Sequence, residues 1–393
     1  MAFKDTNIVE RMGALSLIIM GEGIIGMTES VSFMFKTSSK ISPSTIGLVI
    51  AVVMVIYFVW MLYFDHTDKV DDAGARINTE KPWCQLWAIL HFPLHVAILL
   101  TLEGSAKLVV WWNANEAFNF LSYNFGTHYP IVDNGTQLVQ LIQNQLGCIT
   151  DRYPFLDEEI HTADFKSSLT QLGKLGAFNG TSDNDFNAFG IMDLLQDNFF
   201  AAICEQLDIE YSQPPPVKSS TASDSEALDL ADMKVSAIFQ VFYDWFVIFL
   251  VAAGCVLLLL ALARYVGHQN MPIAKSADGI ECHLKVAGKR PFAWVALTLQ
   301  CSIGVGLALV SLLAKWKSSD AFLNFITSAW IIPTVLLAFS LGKAILHRHS
   351  KSLANRLRVS YHHRQLPLLL VLRYSPSARQ RPRAETLPRL SPE

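Results

Sequence analysis

The stretch "ERMGALSLIIMGEGIIGMTESVSFMF", residues 10–35, holds the pattern G-x-G-x-x-G from Gly21 to Gly26 within an almost unbroken apolar run. In soluble enzymes this pattern marks a dinucleotide site, which needs a preceding strand, a following helix and an acid about 20 residues further on. Residues 41–50 contain no acid, and Glu22, directly after the first glycine, would repel a pyrophosphate. We therefore interpret the stretch as a membrane helix and predict no nucleotide partner.

The composition of the whole chain favours the same class of protein. Of 393 residues, 51% are hydrophobic and 17% are charged, and the mean hydropathy is positive. Soluble domains usually carry about 25% charged residues. No basic stripe is interleaved with aromatics, so no nucleic-acid partner is predicted. The first apolar run is too long for a cleavable signal and would serve as its own membrane anchor.

Six apolar runs are long enough to cross roughly 30 Å of hydrocarbon as helices. They cover about 12–35, 45–64, 85–112, 236–263, 292–314 and 322–346. The predicted fold class is therefore all-α, a polytopic transmembrane helical bundle of about six spans with a small helical extramembrane insertion. The lipid bilayer is the predicted partner.

Four segments follow from these runs. They are an N-terminal membrane part of three spans (1–112), a luminal or extracellular helical insertion with a Pro/Ser linker (113–235), a C-terminal membrane part of three spans (236–346) and a disordered basic cytosolic tail (347–393). The insertion is too long for a simple connector. Its stretch "TQLVQLIQNQL" is typical of an amphipathic helix, and so are residues 189–207.

Three signals predict that both termini are cytosolic. Lys and Arg gather in the 265–290 loop and in the tail. Two glycosylation sequons, at Asn134 and Asn179, fall in the insertion, which this topology places outside. Cys148 and Cys204 also lie there, and an oxidising compartment would let them form a disulfide bond, the alternative being two buried thiols. We expect a multi-pass glycoprotein of the secretory pathway or plasma membrane.

The glycines of the first span are better suited to helix contact than to phosphate binding. Gly26-x-x-x-Ser30 is a small-xxx-small pair, and Gly304-x-x-x-Ala308 in the fifth span is a candidate partner surface. A homo-oligomer is compatible with such surfaces. Glu22 lies about midway along its span, where a carboxylate costs about 2.5–3.5 kcal/mol, so we expect it to face the bundle interior. There it would be either a protonated acid hydrogen-bonded between helices or an ion or proton site.

A second polar group lies in the third span. His91 and His95 share one helix face because they are four residues apart, and Pro93 between them interrupts the backbone hydrogen bonds. Two histidines would bind a metal only with a third ligand, and none is evident, so neither a metal nor a cofactor is predicted. The alternatives are a proton relay that includes Glu22 and a pair of interhelical hydrogen bonds.

Other charged residues in the spans support no catalytic site. Asp244 lies about two turns inside the fourth span, beside Gln240 and Tyr243, and is either near a headgroup or part of the same polar interior. Glu103 and Lys107 have the favourable i,i+4 order for an ion pair. No nucleophile signature is present, so we predict that the protein is not an enzyme.

Three short blocks resemble signatures of the low temperature requirement A family. "IVERMGALSLIIMGEGIIG" resembles its E-R-x-G-x-x-x-x-I-x-x-G-E signature and carries Glu10, Arg11, Gly13, Gly21 and Glu22. "WMLYFD", Trp60 to Asp65, resembles its W-x-Y-F-D block. "HFPLHVAILLTLEG" resembles its H-x-P-L block through His91, Pro93 and Leu94. The blocks occur in the family's order with compatible spacing.

The resemblance covers about residues 8–104 and implies an integral membrane protein without an established biochemical activity. The family name refers to growth in the cold. In the family the signature follows several spans, so its start at residue 8 predicts a shortened chain or an incomplete gene model. The 113–235 insertion exceeds the bacterial pattern and suggests a fungal member.

Two classes of function fit these residues. The first is ion, proton or small-solute transport through a polar bundle interior around Glu22, supported by the histidine pair and Pro93. The second is a non-transporting scaffold or stress-adaptation protein that acts through its luminal domain and tail. An intramembrane enzyme comes third.

Overall fold

Every regular element is a helix in the part of the computed structural model that is described, residues 8–71, 82–126, 133–178, 183–210, 224–269, 290–316 and 328–345. The helices are α1 (Ile8–Thr37), α2 (Pro43–Asp71), α3 (Pro82–Gly126), α4 (Gly135–Arg152), α5 (Leu156–Ile160), α6 (Ala163–Gly173), α7 (Asp183–Gln206), α8 (Asp224–Gln269), α9 (Arg290–Trp316) and α10 (Ile331–Ile345). The predicted all-α class is confirmed. The basic tail at 347–393 lies outside the described residues, as does most of the Pro/Ser linker, whose last residues belong to α8.

The helices α1, α2, α3 and α8 are long and apolar enough to cross a membrane. Their candidate spans are Glu10–Thr37, Pro43–Phe64, Gln85–Phe125 and Met233–Val266. The predicted fifth and sixth runs correspond to two shorter apolar segments, Leu297–Ser311 in α9 and Ile331–Ile345 in α10. The chain is therefore an integral membrane protein of the helical type. We call the end of the bundle where α1 and α3 begin the proximal end and the opposite end the distal end.

One stripe of α1 packs on α3. It consists of the buried residues Ser16, Met20, Gly23, Met27, Ser30 and Met34. At Gly23 an added Cβ would lie 2.5 Å from Leu102 Cδ1, and at Gly26 it would lie 3.1 Å from Glu103 Oε2. Because positions in both helices increase together along this contact, α1 and α3 run parallel. Gly23 and Gly26 therefore permit close helix contact, as predicted, whereas an added Cβ at Gly21 would meet no atom within 4 Å.

The closest backbone approach joins α8 and α9. An added Cβ at Gly254 would lie 2.5 Å from Gly304 O, and one at Gly304 would lie 2.7 Å from Gly254 O. The Gly304-x-x-x-Ala308 pair therefore packs on α8, and the idea that it partners the first span is wrong. Gly254 of α8, which was not predicted from the sequence as a contact residue, leaves the space that the backbone of α9 occupies at Gly304.

The extramembrane helices α4 to α7 gather at the distal end. Leu138, Ile142 and Leu146 are buried on one face of α4, which confirms the predicted amphipathic helix. Helix α7 packs against α3 and α8, where the ring of Phe200 lies 5.0 Å from Phe118 and 6.3 Å from Phe239. Aromatic contacts of this kind attach the extramembrane helices to the extended distal ends of α3 and α8.

Candidate functional site

Three helices bring four polar side chains together near the proximal end. Ser16 of α1, Tyr63 of α2 and both His91 and His95 of α3 are each at most 6% exposed. Ser16 Oγ lies 2.7 Å from His95 Nε2. The Tyr63 ring lies 6.0 Å from the ring of His91 and 6.2 Å from that of His95. We call these four residues the proximal polar cluster.

The hydroxyl of Ser16 has two partners and one proton. It can donate to the carbonyl of Met12 at 3.0 Å, and its oxygen then accepts a hydrogen bond from His95 Nε2–H. If it donates to His95 instead, the imidazole nitrogen becomes the acceptor. The Tyr63 hydroxyl also donates to Met12 O, at 3.2 Å. The cluster therefore supports two hydrogen-bond arrangements that differ in the position of a proton on His95.

His91 is bonded on one side only. Its Nδ1–H donates to the carbonyl of Trp87 at 2.8 Å, while the buried Nε2 has no hydrogen-bond partner. A neutral imidazole with its proton on Nδ1 presents Nε2 as an acceptor. Buried polar atoms without a partner are rare and need an explanation, such as a role in proton exchange or an ion. His91 and His95 are close enough to interact, with ring centroids 5.9 Å apart.

The local sequence explains how the cluster forms. The i,i+4 spacing places His91 and His95 on one face of α3, as predicted, and α3 stays helical through Pro93, which is exposed. An added Cβ at Gly13 would lie 3.7 Å from the ring of Phe64, so α1 and α2 are in contact at this level. The three sequence blocks, separated by dozens of residues in the chain, thus meet at one place.

A basic residue adjoins this cluster through α2. Arg264 of α8 donates to the carbonyl of Leu62 at 2.9 Å and to Gln300 Oε1 of α9 at 2.9 Å. Gln300 is 2% exposed and donates in turn to the carbonyl of Leu257 at 3.1 Å. Leu62 directly precedes Tyr63, so this network adds α8 and α9 to the polar layer. No local pattern in the sequence predicts this network, because it joins residues of three helices that are far apart in the chain.

Glu22 does not belong to this layer. It lies on the exposed side of α1, opposite the stripe that packs on α3, and the expectation that it faces the bundle interior is wrong for the single chain. The reason is helical phase, because Glu22 lies about 160° around the helix from the buried Met20 and about 120° from the buried Ser16. Asp244 is also exposed on α8, where its Oδ1 accepts from Gln240 Nε2 at 3.1 Å. Neither acid meets the histidines.

A second polar network joins the membrane helices to the distal helices. Arg152 of α4 forms a 2.6 Å ion pair with Glu116 of α3, and Ser42 Oγ donates to the other carboxylate oxygen at 2.6 Å. Ser39 N donates to the carbonyl of Arg152 at 2.9 Å. The guanidinium also stacks on the ring of Phe120, 4.7 Å from its centroid. This junction fixes α4 against α3 and the α1–α2 connection, and no local pattern in the sequence predicts it.

Most of the remaining charged and family-motif residues lie away from the polar cluster, and one of them has a side chain outside the described part of the structure. The Glu103–Lys107 pair forms at 3.8 Å, as predicted, with both side chains more than a third exposed. Glu10 and Arg11 are exposed at the start of α1, and Gly21 has no atom within 4 Å of an added Cβ. Asp65 is in α2, but its side chain lies outside the description.

The two predicted modification sites have different outcomes. Asn134 caps α4, its side-chain oxygen accepting from Gln137 N at 3.0 Å, whereas Asn179 lies outside the described residues. Cys148 is exposed and Cys204 is buried, and both are free thiols, so the disulfide is not formed in the structure. Burial raises the pKa of the Cys204 thiol, with Glu205 adding to the effect. The buried-thiol alternative therefore describes Cys204 but not Cys148.

The polar cluster contains side chains that are able to exchange protons. No group of three His, Cys, Asp or Glu side chains is arranged to hold a metal among the described residues. Imidazole is the side chain that gains and loses a proton near neutral pH. Ionisable side chains inside membrane helices mark pathways or relays by default. The fold and the cluster together define a polytopic helical membrane protein with an intramembrane histidine pair.

Comparison with known families identifies the N-terminal part. Residues 2–122 match the family model described as Bacterial low temperature requirement A protein (LtrA). This region, which contains α1, α2, nearly all of α3 and every residue of the proximal polar cluster, is therefore similar to low temperature requirement A membrane proteins. No curated protein and no solved structure matches the chain.

Proposed function

We propose that this protein moves protons, alone or coupled to a solute, through the membrane by way of the proximal polar cluster. The observation that carries the proposal is the buried His91 Nε2, which has no partner while its neighbours share a chain of hydrogen bonds. A protonatable acceptor in a water-poor site is costly unless it exchanges protons or holds an ion. The sequence carries no nucleophile signature, and we propose no enzymatic activity.

The two-state hydroxyl of Ser16 supplies a mechanism for transfer. Rotation of this hydroxyl between Met12 O and His95 Nε2 reverses the direction of the hydrogen bond to the imidazole. A proton taken up by His95 on one side can thus leave on the other without movement of the backbone. His91 lies within reach of the same exchange through one intervening water, given a 5.9 Å ring separation.

A flux assay in reconstituted vesicles tests the proposal. Purified protein in liposomes with an internal pH-sensitive dye is driven by a potassium diffusion potential. We expect His95→Gln and His91→Gln each to lower proton flux more than about tenfold, which is a barrier increase of about 1.4 kcal/mol. His161→Gln, on the exposed distal surface, is the matched control and should keep wild-type flux. Equal flux in the wild type and both cluster variants would refute the proposal.

Glu22→Gln separates this proposal from a pathway around Glu22. Because that carboxylate is on the opposite side of α1 from the packed stripe, the variant should keep the flux of the wild type. If Glu22→Gln lost proton flux and His95→Gln did not, the proton pathway would follow the exposed side of α1 instead.

The distal junction favours a second candidate, a non-transporting scaffold. Arg152, Glu116 and Ser42 hold the extramembrane helices against the bundle, which would present them in a fixed orientation to a partner. This candidate predicts no flux above that of a His91→Gln, His95→Gln double variant. It also predicts that the Glu116→Ala variant fails to restore the wild-type phenotype when it is expressed in a strain from which the gene has been deleted.

We propose further that both termini face the cytosol, as the Lys and Arg distribution indicates. The proximal polar cluster would then lie near the cytosolic surface, and α4 to α7 would face the lumen or the exterior. Asn134 would be available for glycosylation through its amide nitrogen, since the cap uses its oxygen. A glycosidase-sensitive mobility shift that disappears in Asn134→Gln supports this orientation, and absence of glycan in a eukaryotic host counts against it.

A further inference from the structure

The exposed side of α1 carries a carboxylate at membrane depth. Glu22 lies roughly midway along the Glu10–Thr37 span, about 18 Å from its proximal end at about 1.5 Å per residue. Only 28% of the apolar window of this helix is buried, against 61% for α8. Glu22 makes no hydrogen bond or ion pair with the described residues. A carboxyl group that faces hydrocarbon alone is unfavourable.

The neighbours of Glu22 form a continuous stripe that we call the Glu22 face. It consists of Ile18, Gly21, Glu22, Ile25 and Glu29, spaced three and four residues apart. Ile18 and Ile25 are 68% and 61% exposed. Gly21 has no atom within 4 Å of an added Cβ, so another backbone could approach it closely. Close approach at small residues is a principal way in which membrane helices associate.

We propose that a second copy of this chain covers the Glu22 face, so that the protein is a parallel homodimer through α1. All copies insert into the membrane with the same orientation. A two-fold axis along the membrane normal then places each residue close to the axis opposite the same residue of the other copy. A carboxyl group is complementary to itself when one of the pair is protonated, because the acid donates to the carboxylate. Two Glu22 side chains therefore satisfy each other at the same depth without a cation.

The charges of the chain favour this symmetric arrangement over a head-to-tail one. Within the described spans, Lys107 is the basic residue whose depth in the membrane is nearest to that of Glu22, and it already pairs with Glu103. Arg11 and Lys36 lie toward the two ends of α1, far from the level of Glu22. Glu29 is nearer the distal end, where water can reach its charge. Within the described spans, a copy that met Glu22 with a different surface would offer no unpaired basic residue at this depth.

Cysteine cross-linking in vesicles that contain only the purified protein tests the geometry. In a cysteine-free background, Ile25→Cys should form an intermolecular disulfide on mild oxidation. Val53→Cys is the matched control, because Val53 is 54% exposed near the middle of α2. A dimer band from Ile25→Cys alone supports the proposal. Equal bands from both variants, or none from Ile25→Cys, would overturn it.

Substitution at the glycine tests the close approach. Gly21→Leu should weaken dimerisation at least tenfold, measured by energy transfer between labelled copies at increasing lipid dilution. Gly306→Leu is the control, since Gly306 in α9 also has no atom within 4 Å of an added Cβ. Glu22→Gln should keep the dimer, because an amide also pairs with itself. A monomer in wild-type vesicles, or a dimer unaffected by Gly21→Leu, would refute the second copy as the occupant of the Glu22 face.

Discussion

Replacing Gly254 with alanine should separate α8 from α9. The new Cβ would lie 2.5 Å from Gly304 O and 3.3 Å from Ala308 N, both backbone atoms that no rotamer change can move. Carbon–oxygen contacts begin at about 3.3 Å, so α9 must shift by roughly 0.8 Å. Overpacking of this kind usually costs about 1–3 kcal/mol. The gain in helix propensity from alanine, about 1 kcal/mol, opposes it.

A matched variant separates these two effects. Gly306→Ala adds the same methyl group to α9 where no atom lies within 4 Å, and it therefore gains only the propensity. We expect the free energy of unfolding of Gly254→Ala to be about 1–3 kcal/mol lower than that of Gly306→Ala. Titration of denaturing detergent into mixed micelles, followed by tryptophan fluorescence, measures both. Agreement within about 0.5 kcal/mol would refute the close contact.

Three further predictions concern the distal region. Burial, and the nearby carboxylate of Glu116, raise the pKa of Tyr153 from 10.0 to about 12, although Arg152 opposes this. The neutral phenol therefore stabilises the fold fully below pH 10, and roughly 2–3 kcal/mol is lost as pH rises to 12. Tyr153→Phe should flatten the measured stability across that window. Glu116→Gln should lower the unfolding free energy by about 1–3 kcal/mol, while Glu103→Gln at the exposed pair should change it by less than about 1 kcal/mol. A maleimide should label Cys148 in the native protein and Cys204 only after unfolding, whereas a disulfide would block both until reduction.

The sequence was sufficient for features that depend on local periodicity. Apolar runs located the membrane helices, and the i,i+4 rule placed His91 and His95 on one face and paired Glu103 with Lys107. In each case the residues concerned belong to one helix, whose geometry is fixed by its own backbone hydrogen bonds. The family resemblance over the first three spans is confirmed for the same region.

The direction of Glu22 could not be predicted in this way. The free-energy cost of placing a carboxylate in the middle of a membrane span indicates that Glu22 needs a partner. It does not indicate which side of the helix the rest of the chain covers. The packed stripe of α1 is set by the positions of Ser16 and Gly23 against α3, a contact between residues far apart in the chain. The Arg264 network and the Glu116–Arg152 junction were missed for the same reason.

The continuity of α3 has a mechanical consequence. This single helix of 45 residues, about 68 Å at about 1.5 Å per residue, carries His91 near its proximal end and Glu116 toward its distal end. A stiff rod does not absorb a rotation along its length, so a change in tilt at the histidines must displace the attachment of α4. The α3 helix therefore connects the level of the histidine pair to the attachment site of α4 through one continuous backbone.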